Sequence, residues 1–343
     1  MELSAMIAVL SEAVGPSGSE TDAVHTAVEL LDGLVDDVRF DVMGNLIALR
    51  HAGIGGTPTV LLDAHMDEIG LIVTGYEKSF LRFQSLGGVD ARMLPALEVR
   101  LLTDEPLYGI IDTLPPHILS AEEREKPMAA DKLFIDVGLS EEEVKARIPL
   151  GTPAVFSTRY FAMGQHRLCG KAMDDRACAA ILIRALELVR DEELACDVAL
   201  LLSTQEEVGG RGAVIGAYRV APEAAVVVDV THGRSPDAPK AETFELGGGP
   251  VIGVGPNMNR RISDKLMALA DEAGISCQIE VLPGHSGTNA WPIQISREGV
   301  ATGLVSLPLR YMHTPVEVLD LRDAEACAQL IAAWLRSYGR EDA

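Results

Sequence analysis

The chain has 343 residues, enough for one large domain plus an insertion, and 48% of them are hydrophobic, so a sizeable core is available. Its net charge of −22, from 29 Lys+Arg against 51 Asp+Glu, argues against nucleic acid or an anionic membrane surface as a partner. No apolar run approaches the ~18 residues of a membrane span, and the Met1-Glu-Leu-Ser4 start lacks the basic-then-apolar pattern of a secretory signal. The five cysteines (169, 178, 196, 277, 327) lack close pair spacing and read as buried free thiols of a reducing compartment, so a cytoplasmic protein is expected.

Helical apolar spacing predicts helices over 3–14 and 20–33, separated by Gly15-Pro-Ser-Gly-Ser19. Short strands follow over 35–40 and 46–49, around a Met43-Gly-Asn45 turn. The stretch 57–64, dominated by Val60-Leu-Leu62, reads as a buried strand ending in Asp63-Ala-His-Met-Asp-Glu68.

From about residue 75 to 162 the texture changes. Gly and Pro become frequent and short β-like runs recur at 80–83, 96–102, 108–113 and 132–137. This predicts a small all-β module inserted into an α/β domain made of residues 1–74 and 163–343. One short acidic helix over 140–147 interrupts it, with Ser140 as cap and Glu143 at the third position.

After Arg167 the βα alternation returns. Helices are expected at 175–192, 210–218, 263–273, 288–296 and 323–336, and strands at 197–203, 224–229, 250–254, 276–282 and 300–306.

Five stretches put acidic or His side chains at the ends of predicted strands: His65 with Asp67, Asp174 with Asp175, Glu206 with Glu207, Asp229, and His313. In open α/β sheets ligands bind at the carboxyl ends of the strands. Carboxylates gathered there without Lys or Arg repel one another unless a cation joins them. Mixed His and carboxylate donors suit Zn²⁺, Mn²⁺ or Co²⁺ better than Ca²⁺ or Mg²⁺. Two His with three or four carboxylates exceed one tetrahedral site and suit two ions about 3.5–4 Å apart.

Four segments carry a resemblance: Asp63-Ala-His-Met-Asp-Glu-Ile-Gly70, Gly170-Lys-Ala-Met-Asp-Asp-Arg176, Gln205-Glu-Glu-Val-Gly209 and Tyr311-Met-His-Thr-Pro-Val-Glu317. Together with Leu86-Gly-Gly-Val-Asp90 and Leu114-Pro-Pro-His117 in the insert, they resemble the M42 family of dinuclear metalloaminopeptidases, the glutamyl aminopeptidase and tetrahedral peptidase group. The resemblance implies a zinc-peptidase-like mixed sheet flanked by helices, with the insert a barrel or PDZ-like module for dimerisation and assembly. It also implies two divalent ions (Zn, Co or Mn): His65 and Asp229 on one, Glu207 and His313 on the other, Asp174 bridging. Glu206 is then the general base that takes a proton from a metal-bridging water, and Asp67 accepts the second ring N–H of His65. A cis peptide between Asp174 and Asp175 is part of the same expectation.

The expected activity is removal of N-terminal residues from short peptides by a homo-oligomer, a dimer or a tetrahedral dodecamer. A dinuclear deacylase or carboxypeptidase on the same scaffold, or a catalytically silent assembly protein, are the alternatives. Gly284-His-Ser-Gly-Thr-Asn-Ala290 departs from the family pattern, which usually has Asp where this chain has Asn289. That bears on specificity, with His285 and Asn289 reading equally as candidate substrate contacts or as a helix-start loop with a capping role, while His117 reads equally as a loop residue or as one reaching an active site.

Overall fold

Two helices, α1 (Leu3–Glu12) and α2 (Thr21–Leu30), open the chain in the computed structural model, which describes residues 1–120, 128–236 and 238–339. Strands β1 (Asp37–Phe40), β2 (Leu46–Arg50) and β3 (Thr59–His65) follow. Next come β4 (Gly70–Glu77), β5 (Phe80–Leu86), β6 (Glu98–Leu101), β7 (Leu107–Ile111) and β8 (Ile135–Asp136). Helix α3 (Glu141–Arg147) precedes β9 (Pro153–Phe156), β10 (Phe161–Met163) and β11 (Arg167–Gly170). The long α4 (Met173–Leu188) leads into β12 (Asp197–Ser203), α5 (Arg211–Val220), β13 (Ala224–His232) and β14 (Val251–Val254). The chain then runs through α6 (Arg260–Glu272), β15 (Gln278–Val281), α7 (Ala290–Ile293), β16 (Ala301–Leu309), β17 (Glu317–Asp320) and α8 (Leu321–Ser337).

Eight strands form one mixed sheet in the order β1-β2-β12-β3-β13-β16-β14-β15, whose central four, β12, β3, β13 and β16, are parallel. Side-chain alternation along these strands builds a core on each face. Val60, Leu62, Val198, Leu200, Val226 and Val228 pack with α1, α4, α6 and α8. Leu61, Ala199, Leu201, Ala225 and Val227 pack with α5 and α7 on the other face. The same parity sends Asp63, His65 and Asp229 to that second face at the carboxyl ends of their strands.

The insert is a closed six-stranded barrel, β4-β5-β8-β7-β6-β9, filled by its own apolar cluster, including Leu71, Val73, Leu81, Val99 and Ile135. Its first strand leaves the His65 segment almost directly, so Gly70–Glu77 belongs to the barrel. Helix α3 carries the expected capping box, Glu143 N–H donating to Ser140 Oγ at 3.3 Å and Ser140 N–H to Glu143 Oε2 at 2.9 Å.

A three-stranded sheet, β10-β11-β17, lies beside the body and is not apparent from sequence periodicity. The helix expected over 288–296 shrinks to the single turn of α7. Pro292 brings no N–H to it, and Arg297 beyond it takes a left-handed φ of 53°. Among the described residues no helix is long and apolar enough to cross a membrane.

Candidate metal centre

The central sheet comes apart at one edge. Strand β3 stays paired with β12 as far as His65↔Ser203, but with β13 only as far as Asp63↔Val227. Strand β13 continues against β16 to His232↔Leu309. The cleft opened between β3 and β13, at the carboxyl ends of parallel strands, is the ordinary ligand position of an open α/β sheet.

Five chain segments deliver the acidic and His side chains to this cleft. His65 ends β3, and Asp229 lies on β13 just past the split. Asp174 and Asp175 sit at the start of α4 with non-helical dihedrals and a cis peptide bond between them. Glu206 and Glu207 follow β12 in a turn that Gln205 enters at φ 57°. His313 occupies the turn between β16 and β17 at φ 60°.

Asp174 is central. Its Oδ1 lies 3.1 Å from His65 Nε2 and its Oδ2 lies 3.3 Å from His313 Nε2, which is itself 3.4 Å from Glu207 Oε1. Possible ligand atoms of His65, Asp174 and Glu207 all lie within 4.8 Å of one another, as do those of His65, Asp175 and Asp229. The second grouping contains Asp175, for which sequence reasoning gave no ligand role. One oxygen of Asp175 accepts the main-chain N–H of His65 at 3.0 Å, while Oδ1 is buried without a partner.

A surrounding layer aims these groups. The Asp67 carboxylate accepts the main-chain N–H of Glu206 at 2.9 Å and of Glu207 at 3.1 Å, and the Ser17 hydroxyl at 2.6 Å. His65 Nδ1 lies 3.1 Å from the Asp67 carbonyl and 3.4 Å from its Oδ1, so Asp67 orients the imidazole and the Glu206-Glu207 turn together. From the barrel, Gly88 O sits 3.2 Å from His313 Nδ1, which leaves Nε2 facing Asp174 and Glu207. A Cβ at Gly88 would lie 2.6 Å from His313 Nδ1, and one at Gly87, where φ is 78°, would lie 2.9 Å from Glu207 Oε2. Only glycine allows this loop to close over both side chains.

Below the site, buried Glu68 takes Lys171 Nζ at 2.8 and 2.9 Å and Arg176 Nη2 at 3.1 Å. Arg176 also donates to the carbonyls of Leu10, Ala13, Gly15 and Met66. The motif cations thus tie the N-terminal segment to the site and leave the cluster itself to carboxylates and imidazoles. Glu317 is a buried residue that motif reading quotes but gives no role. Its two oxygens accept the main-chain N–H groups of Asp174 and His313.

The electrostatics show a site short of positive charge. Burial pushes Glu207 up to about 8, and the Asp174 charge adds to it. Burial likewise raises Glu206 and lifts Asp229 well above the usual carboxylate range; His65 opposes both shifts and Asp174 adds to them. The hydrogen bond to Asp174 raises His313 to about 9. Burial also acts to raise Asp174, but hydrogen bonds from His313 and His65 outweigh it and hold its carboxyl below the usual range. These shifts favour the protonated forms of Glu206, Glu207, Asp229 and His313, as expected where carboxylates gather without a cation, and the donor set of N and O atoms suits divalent ions.

Three other sequence candidates are not among these ligand groups. Asn289 is buried and caps nothing: its amide donates to Asp63 Oδ2 at 3.0 Å and Ser203 Oγ at 2.9 Å. His285 is exposed and lies against Trp291 in a tilted ring pair, centroids 4.6 Å apart and planes at 37°. His117 is exposed in a one-turn 3-10 helix, Pro116–Ile118, of the insert.

Comparison with known proteins finds aminopeptidases. The family model for M42 glutamyl aminopeptidase matches residues 44–330. A lysyl aminopeptidase of Pyrococcus furiosus is 36% identical over 330 residues, covering 94% of each chain. An aminopeptidase from the archaeon Desulfurococcus kamchatkensis superposes with a TM-score of 0.90 at 35% identity, over 98% of this chain and 95% of that one. The TET1 peptidase of Pyrococcus horikoshii, described as assembling into a tetrahedron or a large octahedral shell, gives 0.87 at 31% identity, over 98% of this chain and 100% of its own. With a family match across most of its length and relatives of this identity, the chain belongs to the M42 glutamyl aminopeptidase family and is a peptide-bond hydrolase.

Proposed function

We propose that this metal-dependent aminopeptidase works through two divalent ions, with His65 and Asp229 on one, Glu207 and His313 on the other, and Asp174 shared. The observation that carries this reading is Asp174 itself, whose two oxygens face the two imidazoles separately, at 3.1 and 3.3 Å. Bound Zn²⁺, Co²⁺ or Mn²⁺ would supply Lewis-acid polarisation of the scissile carbonyl and an acidified water.

The chain's own residues do the rest. Glu206, half-buried beside the cluster, has its carboxyl raised above the ordinary carboxylate value by burial, the direction that suits a general base. It accepts the proton of the attacking water and returns it to the departing amine. Asp67 is a positioning residue: by holding the Glu206 and Glu207 main chain it keeps one side chain free for proton transfer while the other faces His313. A free substrate α-amino group meets a carboxylate-rich cleft, which favours N-terminal residues of short peptides over blocked ones.

The barrel, with its own core, is read as the dimerisation and assembly domain, and the protein as a homo-oligomer, from dimer up to tetrahedral dodecamer. The TET1 peptidase of Pyrococcus horikoshii, described as assembling into a tetrahedron or a large octahedral shell, supports that reading. Glu206→Gln tests the mechanism. Turnover is expected to fall about 10²–10⁴-fold with ion content unchanged; near-normal turnover would remove Glu206 from the base role.

A further inference from the structure

Glu317 has an unusual assignment for a buried carboxylate. It opens β17, its main chain pairs with Gly170 of β11, and the residue is 2% exposed. A buried carboxylate ordinarily answers to a Lys or Arg or sits at a helix cap. Here the hydrogen bonds recorded for it are two main-chain N–H groups, Asp174 N–H to Oε2 at 3.1 Å and His313 N–H to Oε1 at 2.9 Å.

These donors belong to segments 139 residues apart in the chain (313 − 174), and each carries a side chain of the metal cluster. Neither backbone is in a regular conformation: His313 is at φ 60°, uncommon for a residue with a side chain, and Asp174 departs from helical dihedrals inside α4. A side chain that supplies one acceptor to each segment fixes their separation.

We propose that Glu317 is a positioning residue of the metal centre: its carboxylate clamps the main chain of Asp174 to that of His313 and so sets the width of the site between Asp174, Glu207 and His313. Only a carboxylate suits the task. Two donors converge on it, and Gln would put an NH₂ against one of them, losing one bond and adding a donor–donor contact. His313 takes part in the second ion's set alone, whereas Asp174 is also held by His65 and the start of α4. The effect of breaking the clamp therefore falls on the His313 side. Partners of this kind, acting behind the ligands, typically alter metal affinity 10–100-fold.

The inference rests on the ligand assignment proposed above, and one experiment separates the two. Chelator-treated wild-type and Glu317→Gln chains are titrated with Co²⁺, following bound ion and visible spectrum, beside His313→Ala and Asp229→Asn. Wild type is expected to take two ions. Glu317→Gln should bind one of them about tenfold or more weakly, leaving a one-ion spectrum that matches His313→Ala rather than Asp229→Asn. Unchanged binding of both ions, equal weakening of both, or a residual spectrum matching Asp229→Asn would overturn the clamp. A wild-type chain that takes fewer than two ions contradicts the ligand assignment and the clamp with it. Should the Gln variant fail to fold, Glu317→Asp keeps both acceptors on a shorter arm, and the same selective loss is expected; its absence refutes the proposal.

Discussion

At Asp174 the two carboxylate oxygens answer to different parts of the chain, one to His65 at the end of β3 and one to His313 in the turn after β16. Burial pushes Glu207 up to about 8, and the bond to Asp174 raises His313 to about 9, so the pair together favours holding protons near pH 7. Metal ligation requires the unprotonated forms. Ion uptake at pH 7 is therefore expected to expel at least one proton per chain, and apparent affinity should rise as pH climbs from about 6 to 9. Calorimetry of Co²⁺ or Zn²⁺ binding in buffers of different ionisation enthalpy reads this directly, and a slope of zero would contradict it.

At the scale of the elements, the site depends on how the N-terminal segment is fastened beneath it. Glu68, Lys171 and Arg176 form a buried ion network whose Arg176 also satisfies carbonyls of α1 and the following loop. Burial lowers Lys171 to about 8, and the Glu68 charge works against that shift. Glu68→Gln would leave two cations underpaired in the interior, and loss of one partner from such a network costs about 3–5 kcal/mol. A denaturant midpoint shift of that size is expected, and a change under about 1 kcal/mol would mean the network is dispensable. His65, Glu206 and Asp229 were legible in sequence because each follows a plain apolar run, as Glu206 follows Val198-Ala-Leu-Leu-Leu202, whereas Asp174 and His313 were legible only through their motifs. The barrel's short strands and the Ser140 cap were legible for the same local reasons. The partners of those acids were not. Gly87 and Gly88 matter only because the barrel folds back over His313, and Glu317 only because β17 pairs with β11. Asn289 was an open candidate for substrate contact or capping, and its inward turn onto Asp63 and Ser203 was not legible, since the side of a loop that faces inward is decided by packing.

For the whole molecule, a charge of −22 makes copies of the chain repel one another, so the assembly proposed above has to be joined through particular faces. Light scattering of the purified 36.6 kDa chain is expected to give a homo-oligomer, a dimer or a multiple of dimers, and a monomer at working concentration would contradict the assembly role of the insert.

The most direct test of the central claim is chemical. Chelator-treated protein is offered a panel of aminoacyl-p-nitroanilides, with and without a blocked amine, and Co²⁺, Zn²⁺ or Mn²⁺ is added back. The expected result is cleavage that disappears with the metal, returns with it, and is confined to free-amine substrates. Cleavage that survives full metal removal, or that treats blocked and free amines alike, would contradict a metal-dependent aminopeptidase built on Asp174.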